Sequence, residues 1–162
     1  MRVIIDTNVV IAYLVSGSSK SINYRICQRV MNGNDKTFSC DVLYGELNRL
    51  LSLDPDLIQK IASAGNKEGR FFSSIEKVNP QYLNARLDPF VSQLNFIKTE
   101  SLSIDEDALK DIGNDWYLIS IYKYVPIDYI ITWNVKDILK YADKHSVDPE
   151  TILNPSEYLE KI

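Results

Sequence analysis

Five side chains carrying oxygen donors are spread along the sequence where strand-like runs give way to helix-like ones: Asp6, Glu46, Asp115, Asn134 and Asp137. Asp6 closes the apolar run "RVII", and another apolar stretch begins at once behind it. Glu46 lies in "DVLYGELNRLL", about one and a half turns into a helix that follows "KTFSC". Asp115 opens the helix ahead of "DYIIT", with Asp111 one turn before it, and Asn134 and Asp137 follow that strand. Carboxylates brought within a few Å repel one another, and their pKa values rise until a cation relieves them. Hard oxygen donors without histidine or cysteine select Mg²⁺ or Mn²⁺ over zinc. Such an ion keeps waters and meets phosphate oxygens, so phosphate-ester hydrolysis is the chemistry this set suits. Two ions ~4 Å apart would share the work of activating water and stabilising charge.

Each residue also has a plain structural explanation. An Asp between a strand and a helix is an N-cap, which covers Asp6 and Asp115. Glu46 can be a solvated helix residue, and Thr132 and Asn134 in "TWN" suit turns and caps.

What brings these residues together is the order of elements. "RVII" reads as a buried parallel strand, followed by a helix from Asn8 to about Val15 that "SGSS" ends. A second helix spans Ser19 to about Met31, "KTFSC" is the second strand, and Asp41 is the expected N-cap of "DVLYGELNRLLSL". Residues 54–100 read as a polar helical elaboration, with one helix begun by Pro55, a "GNKEGR" loop, and a helix "NPQYLNARLDPFVSQLNFI" kinked or broken at Pro89. An acid-rich approach leads to a helix from about Asp115, then the third strand "DYIIT" and the helix "NVKDILKYADKH". "ETIL" is a last strand, and "NPSEYLEKI" a final helix capped by Asn154 with Pro155 at its first position. Strands alternating with helices predict one α/β domain over residues 1–162, a three-layer α/β/α sandwich on a parallel sheet. In such a sheet, ligands bind at the carboxyl ends of the strands, and right-handed crossovers bring those ends to one edge.

Composition excludes more than it selects. The 162 residues are 45% hydrophobic and 25% charged, as in an ordinary globular protein. No stretch approaches the ~20 apolar residues of a membrane span, and "MRVIID" reaches an acid too early for a signal peptide, so a cytoplasmic protein is expected. Cys27 and Cys40 lack metal-like spacing and are expected as two buried thiols. The one histidine, His145, falls in polar "YADKHSVDPE" and is expected at the surface, which leaves Ser-His-Asp chemistry unsupported. A net charge of −4 argues against a broad basic surface for nucleic acid, though not against an acidic site that meets phosphate through a metal.

In combination, "VIIDTNVVIAYL", Glu46, the Asp115 helix and "DYIITWNVKD" resemble the PIN-domain nucleases, and most closely their bacterial VapC-like branch, the toxins of toxin–antitoxin pairs. The resemblance covers roughly residues 1–53 and 111–158; the helical middle is longer than in minimal PIN domains. It implies that Asp6, Glu46 and Asp115 ligate the metal, while Thr7 and Asn8 shape the turn, one of them orienting Asp6. The family's fourth acid falls on Asn134, which brings no charge, with Asp137 nearby and Asp111 a further outer candidate. The implied activity is Mg²⁺- or Mn²⁺-dependent hydrolysis of single-stranded RNA by an activated water. Arg49 and Lys136 are candidates for gripping RNA, and Trp133 can either stack a base or pack against the sheet edge. The implied partners are RNA, a cognate antitoxin and a second copy of the chain.

Two other readings compete. A PIN-like domain without catalysis would act as an RNA- or protein-binding regulatory module, a reading kept open by Asn134 and the acidic charge. A haloacid-dehalogenase-like phosphatase needs an Asp where Asn8 stands, and a receiver domain needs an acidic pair and a late lysine that are not placed here. A dinucleotide site is rejected because no glycine-rich turn follows the first strand.

Overall fold

The computed structural model describes residues 1–15, 18–51 and 80–162. In chain order the elements are β1 (Arg2–Ile5), α1 (Thr7–Val15), α2 (Ile22–Met31), β2 (Lys36–Cys40), α3 (Asp41–Leu51), α4 (Pro80–Val91) and β3 (Asn95–Ile97). They continue with α5 (Glu106–Ile112), α6 (Trp116–Tyr124), β4 (Tyr129–Ile131), α7 (Val135–Ala142), β5 (Ile152–Leu153) and α8 (Pro155–Lys161). The expected helix at Pro55 and the "GNKEGR" loop lie outside the described residues.

The five strands among the described residues form one all-parallel sheet in the order β3-β2-β1-β4-β5. β1 is central, and its β-branched residues serve both faces: Val3 and Ile5 pack with Ile131 on one side, Ile4 with Ile130 and Ile152 on the other. The helices follow from chain direction. The chain moves from β1 through β2 to β3, then crosses back over β1 to β4 and β5. Right-handed crossovers running in opposite directions must put their helices on opposite faces. Accordingly Val10, Leu14, Ile26, Leu43 and Leu87, from α1 to α4, share one core with Val3. Ala108, Leu118 and Ile138, from α5 to α7, share the other core with Ile4.

This topology leaves a switch point between β1 and β4, where connections leave in opposite directions and open a crevice at the carboxyl ends. The β1–β4 ladder runs one bond past the strands, the Asp6 N–H donating to the Ile131 carbonyl at 2.9 Å. Asp6 and Thr132 therefore stand side by side at that crevice.

Several sequence expectations change. β3 is a strand where the sequence predicts the tail of a helix; three residues are too few to show a period, and pairing with β2 decides their state. α4 passes through Pro89 and ends two residues later, so the lost hydrogen bond falls in the last turn. Asp41 is the first residue of α3, and its carboxylate instead accepts from the Thr99 hydroxyl at 3.1 Å. The acid-rich approach is itself a helix, α5, capped by Asp105, whose carboxylate accepts from the Ala108 N–H at 2.9 Å. The end of the chain is as expected: Asn154 and Glu157 form a capping box with Pro155 at the first position of α8. Both cysteines are free and buried.

α5 ends at Gly113, with φ 59° and ψ −132°, before the short 3₁₀ turn Gly113–Asp115. That conformation is open to glycine and strained for any L side chain, although nothing crowds the position. Gly113→Ala is expected to lower the free energy of unfolding by about 1–3 kcal/mol in urea denaturation, through backbone strain alone.

Candidate functional site at the switch point

Asp6 is 2% exposed, and its carboxylate is held by three side chains from three elements. Oδ2 accepts from the Thr132 hydroxyl at 2.6 Å and from Asn8 Nδ2 at 2.7 Å. Oδ1 accepts from the Tyr117 hydroxyl at 3.3 Å. The Tyr117 oxygen in turn accepts from the Thr7 N–H at 3.2 Å and lies 3.1 Å from the Thr7 hydroxyl. Burial pushes the Tyr117 phenol well above its ordinary pKa, so it keeps the proton it donates.

The "DTN" turn and the "TWN" turn are laced together. Asn8 Oδ1 accepts from the Trp133 N–H at 3.3 Å, and the Thr132 oxygen accepts from the Asn134 N–H at 2.9 Å. Thr132, fully buried, thus donates to Asp6 while accepting from the backbone two residues on.

Asp6 has not been relieved of its charge. Its pKa is pushed up to about 7, first by burial, then by the charges of Asp115 and, less strongly, Glu46; the bonds from Thr132 and Asn8 work against the rise. Glu46 is half-buried on α3, and Asp115 is half-buried at the start of α6. Three carboxylates from three separate elements therefore share one electrostatic field. Asp115 occupies the cap position of α6 without capping it through its side chain; its Oδ2 accepts from Asn134 Nδ2 at 3.2 Å. Among the described residues, no three His, Cys, Asp or Glu side chains are grouped to hold one ion directly. The all-oxygen donors are of the kind a hydrated Mg²⁺ or Mn²⁺ takes, an ion that typically uses only one or two carboxylates and keeps its remaining waters.

The other expected residues fall out differently. Asp137 is exposed on α7, and its N–H donates to the Asn134 carbonyl at 3.1 Å. Asp111 is drawn away from the site, pairing with Lys144 at 2.7 Å and with His145 at 2.8 Å. His145 is itself 4% exposed, against the expected surface position, because α5 lays Asp111 and Asp105 over a stretch that is polar only in composition. Trp133 is half-buried, packs against the α1–α4 core and donates its indole N–H to Asn23 Oδ1 at 3.0 Å. Arg49 and Lys136 are exposed. Tyr117 was not anticipated: in "WYLISIYKY" it reads as core, and the one signal is that a buried phenol needs a partner.

Compared with protein-family models, curated proteins and solved structures, the chain has no match.

The raised Asp6 pKa makes stability depend on pH. Between the unfolded value of 3.8 and the folded value of about 7, the native state holds a proton that the unfolded chain releases. The Asp6 penalty is therefore absent below pH 3.8, grows as pH rises, and is complete above pH 7. In metal-free buffer, Asp6→Asn is expected to raise the free energy of unfolding at pH 8 by an amount on the order of a few kcal/mol, and the Tm with it, and to do little at pH 4. An Asn fits because its oxygen can accept from Thr132 and Asn8 while its amide donates to the Tyr117 oxygen. Thermal unfolding of both chains across that range checks it.

Proposed function

We propose that the chain is a PIN-like, Mg²⁺- or Mn²⁺-dependent endoribonuclease that hydrolyses single-stranded RNA, and that it is the toxin of a toxin–antitoxin pair. The observation that carries this reading is the buried Asp6 carboxylate, built into the switch point and raised toward neutrality by burial and by Asp115 and Glu46. A carboxylate that only capped α1 would have no need of two further acids brought from α3 and α6. The parallel sheet with helices on both faces suits the three-layer PIN arrangement.

Asp6, Glu46 and Asp115 would hold the cation, directly or through its waters. A bound divalent cation would supply the charge that acidifies water and offsets the negative charge gathering on the phosphoryl oxygens. Thr132, Asn8 and Tyr117 fix Asp6, so that it meets the cation with little reorganisation. Asn134 offers a neutral amide at the rim, and Asp137 a charge further out. Arg49 and Lys136 are placed at the surface, where they can contact RNA phosphates. No helix among the described residues is long and apolar enough to cross a membrane. A cytoplasmic location, an antitoxin that covers the acidic crevice and a homodimer belong to the same proposal.

One observation favours a second reading. The neutral Asn134 at the fourth position, with no three acids closed on a point among the described residues, suits a PIN-like domain that binds RNA or protein without cutting. Cleavage of single-stranded RNA by the purified protein separates the two. The nuclease reading expects cleavage with Mg²⁺ or Mn²⁺, none with EDTA, and a loss of at least about 100-fold in Asp6→Asn and Asp115→Asn, comparable to removal of an electrostatic catalytic group. Cleavage in EDTA, or undiminished in both variants, would overturn it.

A further inference from the structure

Trp133 stands between the two residues that lace the crevice together. Thr132 before it donates to Asp6 at 2.6 Å, and Asn134 after it donates to Asp115 at 3.2 Å. The Trp133 N–H donates to Asn8 Oδ1 at 3.3 Å, so the backbone that carries the indole is tied to both turns of the site.

The indole itself is held in one orientation. Its N–H donates at 3.0 Å to Oδ1 of Asn23, a residue of α2 that is 5% exposed, and its ring packs against the core beneath α1 to α4. Yet Trp133 remains half-buried, whereas Trp116, the other tryptophan, is 8% exposed. A tryptophan that served packing alone would gain from complete burial, since ring left wet forgoes hydrophobic stabilisation. An aromatic ring already fixed has little rotamer freedom to lose when a flat ligand covers it. The flat ligands that single-stranded RNA presents are its bases, and all of them have a π-face. Lys136, exposed in the first turn of α7, offers a charge to an adjoining phosphate.

We propose that Trp133 is a stacking platform for one base of single-stranded RNA at the rim of the crevice. The proposal rests on the ribonuclease reading above and adds how that site takes hold of a strand. The indole receives a base of any identity, and Lys136 a phosphate, beside Asp6. Trp133 is thus a substrate-binding residue outside the acidic set.

The test measures binding of a short fluorescein-labelled single-stranded RNA by anisotropy, with Ca²⁺ in place of Mg²⁺ and a gel confirming that the strand stays whole. Trp133→Phe keeps an aromatic face, Trp133→Leu keeps only apolar bulk, and both lose the bond to Asn23. Circular dichroism confirms that each is folded. The Kd is expected to rise at least about fivefold in Trp133→Leu, the low end for one base–aromatic stack, and by less than half as much in Trp133→Phe. An abasic strand of the same length is expected to bind all three chains alike. RNA is expected to quench the tryptophan emission of the wild-type chain, and emission unchanged by bound RNA would overturn the platform without any variant. Equal RNA binding by wild type and Trp133→Leu would overturn it too, while leaving the ribonuclease reading standing. A loss that is the same in both variants, or that extends to the abasic strand, would assign Trp133 to packing alone. No RNA binding by the wild-type chain would overturn the ribonuclease reading and the platform with it.

Discussion

A carboxylate buried at the mouth of the central strand is the constraint on which the rest of the structure depends. Isolated, an ionised Asp at 2% exposure would be a severe desolvation cost. The chain answers with three donors, Thr132, Asn8 and Tyr117, and then offsets much of their benefit by bringing Asp115 and Glu46 near the same group. Donors that lower the pKa and acids that raise it are assembled around one residue. A fold selected for stability alone would have no reason to keep both. Such opposed environments mark functional sites more often than structural ones.

The topology explains how so local an arrangement is achieved by residues distant in sequence. Strand order β3-β2-β1-β4-β5 sets β4 beside β1, so the "TWN" turn meets the "DTN" turn directly. The return crossover lays α6 across the opposite face, with Asp115 at its cap position and Tyr117 in its first turn. Tyr117 reaches up through the core to Asp6, while Asp115 stays at the rim against Asn134. Thus one helix start supplies a charge and a proton donor to the same carboxylate. Gly113 lets the chain turn sharply from α5 into that start.

How much of this was legible in the sequence follows from the range of the interactions. "RVII" and "DYIIT" were plain because a strand buried on both faces is an unbroken β-branched run. The alternation of strands and helices was enough to place Asp6 and "TWN" at one sheet edge. β3 was hidden because a three-residue edge strand owes its state to β2 rather than to its own pattern. The placement of His145 and Asp111 was misread for a related reason: their partners lie more than thirty residues apart, and composition reports polarity without reporting who is paired. Tyr117 and Trp133 show the limit from the other side. Each looks apolar in a run, and only the tertiary fold shows the phenol aimed at Asp6 and the indole tied to Asn23.

The central claim is that burial and two neighbouring acids hold Asp6 far above an ordinary carboxylate, and its own titration tests that most directly. The side-chain ¹³C carboxyl resonance of Asp6, followed by NMR with and without Mg²⁺, reports its protonation alone. The account predicts a midpoint near pH 7 in metal-free protein and a clear fall when Mg²⁺ is added. A midpoint at the ordinary value of 3.8, unmoved by Mg²⁺, would contradict it.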